Sequence, residues 1–267
     1  MISFIVPALN EELGIAPTVR TITAAAENCA VSDYEIILID DGSTDGTYAA
    51  MSSAAKADSR VVVLRNERNL GLGTSIRRGI AAVRYSQFMV VPGDNDMSQA
   101  LVELLLTFRN EAEILLTVPL NKETRTLGRN IISMIYQLIQ MVAFSVYVAY
   151  INGPGIWPTA KVRAVGLAAK RFSIISEMNV KLLRSGCSYA ELPGYFNALP
   201  KARRTVTLKN LSEVIRLFVT LAYKIHIAQR KQFLLRPHRI QIDFSTAARE
   251  RLLSAQKYKP LRVVSGA

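Results

Sequence analysis

The chain has 267 residues, is 50% hydrophobic and carries a net charge of +12, with a pI near 9.9. That is enough apolar content for one large α/β domain, or a domain with an appendage, and the charge calls for a polyanion: nucleic acid, an anionic membrane surface or a phosphorylated substrate. Two cysteines, Cys29 and Cys187, make no disulfide framework and read as reduced thiols of a cytosolic compartment; there is no His/Cys cluster for zinc, and the apolar residues 2–6 are too short for a signal peptide.

Residues 3–7 read as a short buried strand, and Asn10, Glu11 and Glu12 open a helix to about residue 28. Residues 34–39 read as a second strand, ending in Asp40-Asp41-Gly42-Ser43. Ser43 or Thr44 is placed to cap the next helix, with Asp45 in its first turn. Residues 61–64 read as a third strand, followed by Asn69-Leu70-Gly71-Leu72-Gly73 and a helix to about residue 85. Residues 88–91 read as a fourth strand, residues 103–108 lie in a helix, and residues 114–118 read as a fifth strand. Short apolar strands alternating with helices spell a parallel sheet covered on both faces.

The fourth strand leads into Asp94-Asn95-Asp96. Two carboxylates one residue apart repel each other unless a cation lies between them. Hard oxygen ligands suit Mg²⁺ or Mn²⁺, which bridge a carboxylate to substrate phosphates. In isolation such a run is more often a solvated turn, because Asp and Asn favour turns for local reasons. Its company argues for a site. Polar or glycine-rich segments follow all of the first four strands, and in an open α/β sheet ligands bind at the carboxyl ends. Gly71-Leu72-Gly73 is weak as a dinucleotide fingerprint, since it follows the third strand and lacks the third glycine; Gly79 fits close helix packing, and no P-loop is present.

Four motifs carry a resemblance. They are residues 5–12 (Ile-Val-Pro-Ala-Leu-Asn-Glu-Glu), residues 39–47 (Ile-Asp-Asp-Gly-Ser-Thr-Asp-Gly-Thr), residues 68–73 (Arg-Asn-Leu-Gly-Leu-Gly) and the Asp-x-Asp at Asp94 and Asp96. In this order and spacing, over roughly residues 2 to 110, the chain resembles the family 2 glycosyltransferases of GT-A fold. More narrowly it is similar to the polyprenyl-phosphate hexose synthases of the dolichyl-phosphate mannose synthase type. The resemblance implies an α/β, three-layer, Rossmann-like mixed sheet with C-terminal amphipathic helices. It implies a catalytic domain over residues 1–210 and a basic, membrane-facing segment over 211–267. The implied function is inverting, metal-dependent transfer of a hexose from a UDP- or GDP-sugar to a membrane lipid, polyprenyl phosphate foremost, in cell-envelope glycan or glycolipid synthesis.

By the same resemblance Pro7, Ala8, Asn10 and Glu11 line the nucleotide pocket, with Gly71 and Gly73. Asp40 contacts the base and Asp41 lies near the nucleotide or metal. Asp94 contacts the ribose or sugar, Asp96 holds Mg²⁺ or Mn²⁺ on the diphosphate, and the two form the metal pair. Arg129 and Ser133 match an Arg-x-x-x-Ser that binds phosphate. Glu177 matches an acidic residue near the acceptor. Lys201, Arg203 and Arg204 match a basic loop that closes on the phosphates. Two departures stand out: Ser98 replaces a glutamine two residues after the Asp-x-Asp, and Gly153-Pro154-Gly155-Ile156-Trp157 stands in place of Thr-Ser-Gly-Phe-Arg.

Residues 131–151 are apolar and long enough to span a bilayer, but a single crossing would separate Glu177 and the 201–204 cluster from the Asp pair. Ser133, Gln137 and Gln140 form a polar stripe, so the readings are an interfacial helix or a buried one, with a span the least favoured. Residues 211–227 read as a second amphipathic helix, with Val214, Ile215, Leu217, Phe218, Leu221 and Ala222 apolar and Arg216 and Lys224 flanking. Arg230, Lys231, Arg236 and Arg239 follow, which suits an anionic leaflet, or else a solvated helix with a basic tail. The expected location is cytoplasmic, peripheral on the inner membrane face. The expected partners are a nucleotide sugar, a lipid phosphate and an anionic membrane, not nucleic acid, for which no motif is present. Two alternatives stay open: transfer to a sugar or lipid hydroxyl with Glu177 as base, and a non-catalytic subunit of a membrane complex.

Overall fold

The computed structural model describes residues 1–121, 127–197 and 208–243. Among them eight strands form one sheet: β1 (Ile2–Ala8), β2 (Tyr34–Asp40), β3 (Val61–Arg65), β4 (Gln87–Val90), β5 (Ile114–Pro119), β6 (Gly155–Pro158), β7 (Ser188–Gly194) and β8 (His238–Arg239). Their order is β3-β2-β1-β4-β6-β5-β7-β8. The helices are α1 (Glu12–Asn28), α2 (Thr47–Ala57), α3 (Leu72–Ala82), α4 (Gln99–Thr107), α5 (Leu127–Phe144), α6 (Thr159–Val165), α7 (Ile174–Arg184) and α8 (Leu208–Tyr223).

The period of two along each strand splits the core. Phe4, Val6, Ile36 and Leu38 point to one face, where Ile15, Ile22, Met51, Leu101 and Leu105 of α1, α2 and α4 cover them. Ile5, Ile37 and Ile39 point to the other, against Ile76, Ile80, Val162, Ile174 and Met178 of α3, α6 and α7. Gly79 lies under this second layer, where an added Cβ would sit 2.5 Å from Ile5 Cγ2, so its role is helix packing.

The sheet is mixed rather than wholly parallel. β6 runs antiparallel to both neighbours, with Phe88 opposite Trp157 and Leu116 opposite Gly155. Residues 155–157, the second part of the departure from the family pattern, build this strand with Pro158. Trp157 is fully buried, and its indole N–H donates to Asn179 Oδ1 at 2.7 Å. Because β6 is reversed, β4 and β5 still run the same way, and β7 pairs parallel with β5. The carboxyl ends of β1 to β5 and of β7 therefore lie along one edge. Register keeps them level: Ala8 sits opposite Asp40, and Pro119 opposite Gly194. From β1 the chain steps outward to β2 and β3, then returns to place β4 on the other side, so the β1/β4 boundary is the topological switch point.

Three expectations shift. α2 starts at Thr47 with neither Ser43 nor Thr44 as its cap; Asp45 Oδ1 accepts the Thr47 N–H at 3.0 Å instead. α3 ends at Ala82, not near residue 85. The expected division at 210/211 falls inside α8, whose Leu221 is buried in the second core, and β8 adds to the sheet beside β7.

Candidate active site at the carboxyl edge of the sheet

Three loops meet at the switch point. The loop after β1 and the loop after β2 are stitched together by short polar groups. Asn10 Oδ1 accepts the Thr44 N–H at 2.9 Å, and the Asn10 N–H donates to Ser43 Oγ at 3.0 Å. The Glu11 N–H donates to Thr47 Oγ1 at 2.7 Å, and the Gly46 N–H to Glu12 Oε2 at 3.2 Å. Asn10 holds φ at 57°, a left-handed conformation that asparagine tolerates better than most residues. Burial pushes the Asp45 carboxyl up, and hydrogen bonds from Thr47 outweigh it, leaving Asp45 below the ordinary carboxylate range.

Asp40 and Asp41 are both buried, and the protein itself engages both carboxylates. Asp40 Oδ1 accepts the Ser43 N–H at 2.9 Å, while its other oxygen lies 3.2 Å from the Arg65 guanidinium, which stacks on Tyr48. Asp41 accepts the N–H groups of Leu70 and Gly71 at 3.0 and 2.9 Å and the Asn66 amide at 2.7 Å. Asp41 thus fixes the segment that enters α3, just after β3. Gly71 has φ of 92°, and a Cβ there would meet Lys170 O at 2.5 Å; one on Gly73 would meet Ala169 O at 2.6 Å. These two glycines give room to the 166–171 segment. Their expected contact with nucleotide is a separate matter that this packing does not supply.

The third loop carries Asp94 and Asp96, both half-buried. The Asp96 N–H donates to Asp94 Oδ1 at 3.2 Å, and Asn95 between them holds φ at 58°. The loop is pinned from three sides. The Gly93 N–H donates to Pro7 O at 3.1 Å. The Thr21 hydroxyl of α1 donates to Asn95 Oδ1 at 3.0 Å. Asn197, past β7, donates its backbone N–H to Asp96 O at 2.6 Å and its amide to Asn95 O at 2.8 Å. Gly14 of α1 lies beneath, where a Cβ would come within 2.9 Å of Asp94 Cα. Ser98 caps α4: its hydroxyl donates to Tyr195 O at 2.8 Å and accepts the Leu101 N–H at 3.2 Å. A serine at this position therefore serves the helix and not a metal.

Among the described residues no three His, Cys, Asp or Glu side chains gather as a metal-binding group. The Asp94/Asp96 pair still fits Mg²⁺ or Mn²⁺ chemically. Two hard carboxylates on one pinned loop suit a cation that completes its shell with phosphate oxygens and water.

Glu177 lies elsewhere. It sits in the first turn of α7, 1% exposed, and accepts the N–H groups of Ala168 and Ala169 at 2.9 and 2.8 Å. The Lys181 ammonium lies 2.6 Å from it. Burial pushes the Lys181 pKa down, against the opposing pull of Glu177. Glu177 thus holds the same 166–171 segment that the glycines admit. Arg129 and Ser133 lie on α5, which follows β5 from the same edge. Lys201, Arg203 and Arg204 lie outside the described residues.

Sequence reasoning missed Gly14, Asn66, Asn121 and Asn197. Asn121 exchanges hydrogen bonds with the Phe196 backbone at 2.7 and 3.1 Å and so supports Asn197. The available signal was positional: Asn66, Asn121 and Asn197 each stand one to three residues past a strand end.

A family model described as glycosyl transferase family 2 matches residues 3–143. An undecaprenyl-phosphate 4-deoxy-4-formamido-L-arabinose transferase of Sodalis glossinidius (strain morsitans) is 29% identical over 143 residues, and one of Enterobacter sp. (strain 638) is 28% identical over 141. Each match takes in 52% of this chain and 43% of the relative, so the chain spans under half the length of these relatives. Among solved structures, a glucosyl-3-phosphoglycerate synthase of Mycobacterium tuberculosis superposes with a TM-score of 0.57 at 16% identity, over 84% of this chain and 80% of that one. The same enzyme with Mn²⁺, UDP and phosphoglyceric acid gives a TM-score of 0.58 at 17% identity, over 84% and 78%. At such identity these structures establish the shared GT-A fold.

Proposed function

The chain belongs to glycosyl transferase family 2, and on that premise we propose that it moves a hexose from a nucleoside diphosphate sugar to the phosphate of a membrane lipid. The observation that carries this reading is the meeting of the Asn10–Glu11, Asp40–Asp41 and Asp94–Asp96 loops at the β1/β4 switch point. Pro7, Ala8, Asn10 and Glu11 form the nucleotide wall. Asp40 and Asp41, fixed by Ser43, Arg65 and the start of α3, set its shape on the base side. Asp94 and Asp96 face the diphosphate. A divalent cation, Mg²⁺ or Mn²⁺, held by this pair would neutralise the charge that grows on the leaving diphosphate. Solved structures of the same fold that hold Mn²⁺ or Mg²⁺ with UDP support that choice.

The acceptor is a phosphate monoester, polyprenyl phosphate being the best candidate, as the names of the undecaprenyl-phosphate relatives support. An acceptor phosphate oxygen bonds to the anomeric carbon from the side opposite the diphosphate. The bond to the diphosphate breaks, the nucleoside diphosphate leaves with its electron pair, and the configuration inverts. Such a phosphate is anionic at neutral pH, so no general base is needed. Arg129 and Ser133, on the helix that follows β5, are the residues assigned to receive it, since guanidinium suits phosphate oxygens. Transfer to a hydroxyl would need a base. Glu177, buried and ion-paired with Lys181, is poorly placed to be one.

The test is incubation with labelled UDP- and GDP-hexoses, Mn²⁺ and polyprenyl phosphate in detergent. A labelled, organic-extractable lipid is expected from one donor, and Asp96→Ala should reduce its rate about 100-fold or more. Nucleotide binding without any labelled lipid would contradict the acceptor. Absence of both binding and transfer would favour a non-catalytic subunit.

A further inference from the structure

Residues 166–171 join α6 to α7 as a largely exposed stretch without regular structure, yet the fold clamps it along its length. The Lys181 ammonium donates to Gly166 O at 2.7 Å, and the Arg77 guanidinium donates to Leu167 O at 3.3 Å. Glu177 accepts the N–H groups of Ala168 and Ala169, and the Thr74 N–H reaches Lys170 O at 3.2 Å. From the other side Gly71 and Gly73 leave the room in which Lys170 O and Ala169 O lie against α3. A side chain at either glycine would push the segment away. A surface connection between two helices has no need of a buried ion pair and two bare glycines, since loops of that kind tolerate variation. What the clamp fixes is the place of the last residue of the segment, Arg171.

Arg171 lies across Gly71. A Cβ on that glycine would sit 3.3 Å from Arg171 Cγ, so the stem of the arginine passes over bare backbone, and the residue is exposed. Two hydrogen bonds tie this place to the nucleotide wall proposed above. The Gly71 N–H donates to Asp41 Oδ2, and the Asp41 N–H donates to Ala8 O, both at 2.9 Å. The edge itself is acidic: Glu11, Asp40, Asp41, Asp45, Asp94 and Asp96 stand at it, and Arg65 is paired with Asp40. A nucleoside diphosphate adds more negative charge there. One divalent cation on the Asp94–Asp96 loop leaves part of that charge uncompensated, and like charges repel at close range. A guanidinium is suited to supply the rest, because its planar fork matches phosphate oxygens.

We propose that Arg171 is a donor-side phosphate contact, a guanidinium brought to the nucleoside diphosphate by the segment that precedes α7. The proposal deepens the donor site described above and rests on that reading. Glu177 is then a positioning residue: it touches no phosphate, and it acts through the 168–169 backbone on the place of Arg171. The stem lies on the Asp41 and Ala8 side, which selects the diphosphate of the donor over the acceptor phosphate assigned to Arg129 and Ser133. A guanidinium held in advance needs no rearrangement as charge grows on the leaving diphosphate.

The experiment is calorimetric titration of the full chain with UDP, UMP, GDP and GMP in EDTA, where no metal contributes. Wild type should prefer one diphosphate to its monophosphate. Arg171→Ala, at an exposed position, should keep the wild-type Tm, weaken that diphosphate about tenfold and leave the monophosphate nearly unchanged. Arg171→Lys should recover part of the loss, since it keeps the charge without the fork. Lys170→Ala removes the same charge one residue earlier and should leave the preference as in wild type. An undiminished diphosphate preference in Arg171→Ala, or an equal loss in Lys170→Ala, overturns the proposal. In transfer assays with Mn²⁺, Arg171→Ala should raise the donor KM and leave the polyprenyl-phosphate KM unchanged; the opposite split overturns the donor assignment. Wild type that binds none of the four nucleotides strikes the donor reading itself, whereas wild-type binding that Arg171→Ala leaves intact strikes this inference alone.

Discussion

At the scale of single residues, several of the acidic groups singled out from the sequence hold the fold together. Asp40 and Asp41 are buried and bonded to Ser43, Arg65, Asn66, Leu70 and Gly71. Glu177 is buried against Lys181 and two backbone N–H groups. A buried ion pair is costly to break, because the surviving partner keeps its desolvation cost. Glu177→Gln should therefore destabilise the protein by about 3–5 kcal/mol, and Glu177→Gln with Lys181→Met should recover much of that loss. Thermal denaturation reads both. If Glu177→Gln instead keeps its Tm and loses activity, Glu177 is a base and the phosphate acceptor is wrong. The identity of these acids was legible in the sequence; their division of labour was not. Asp41 and Asp94 each follow an apolar strand, and only the backbone path shows that one fixes the segment leading into α3 while the other lies on the loop at the carboxyl edge. Ser98 is a second case. Against the family pattern it reads as a lost ligand, and in the fold it is a helix cap.

At the scale of elements, the Asp94–Asp96 loop is only as well placed as the parts that hold it. α1 supplies Thr21 and the bare backbone at Gly14, β1 supplies Pro7 O, and the end of β7 supplies Asn197. Gly14→Ala puts a methyl group 2.9 Å from Asp94 Cα, against backbone that cannot turn aside. It should cost about 1–3 kcal/mol of stability and weaken nucleotide binding, although residue 14 carries no side chain of its own. Tm and nucleotide Kd check this together; an unchanged Kd would mean that the loop adjusts freely. The first five strands and their helices were legible because apolar runs are local signals, whereas the caps were not: Ser98 caps α4, and neither Ser43 nor Thr44 caps α2. β6 was hidden, since four residues beginning with glycine give no periodicity, and its pairing with β4 and β5 is long-range. α5 was legible as amphipathic but not in its orientation, which Gln137 reverses by bonding the 148–151 backbone.

At the scale of the whole molecule, an anion-seeking chain carries its acidic loops at one edge of the sheet and its cations toward the C-terminal helices. The family motifs fixed the fold expectation because they sit at four consecutive strand ends, and a doubly wound sheet must bring those ends together. The sugar and base were not legible, as pocket shape depends on the interlocked Asn10 and Asp40 loops. The C-terminal charge run is plain in the sequence, and the outward apolar stripe of α5 is a property of packing. The central claim is that the Asp94–Asp96 pair anchors a nucleoside diphosphate through a divalent cation. Isothermal titration of UDP and GDP into wild type and Asp96→Ala, with Mn²⁺ or with EDTA, tests it most directly. Wild type should bind one of the two nucleotides about tenfold or more tightly with Mn²⁺ than with EDTA, and Asp96→Ala should lose that difference. Equal affinity with Mn²⁺ and EDTA in wild type, or an undiminished metal effect in Asp96→Ala, would contradict it.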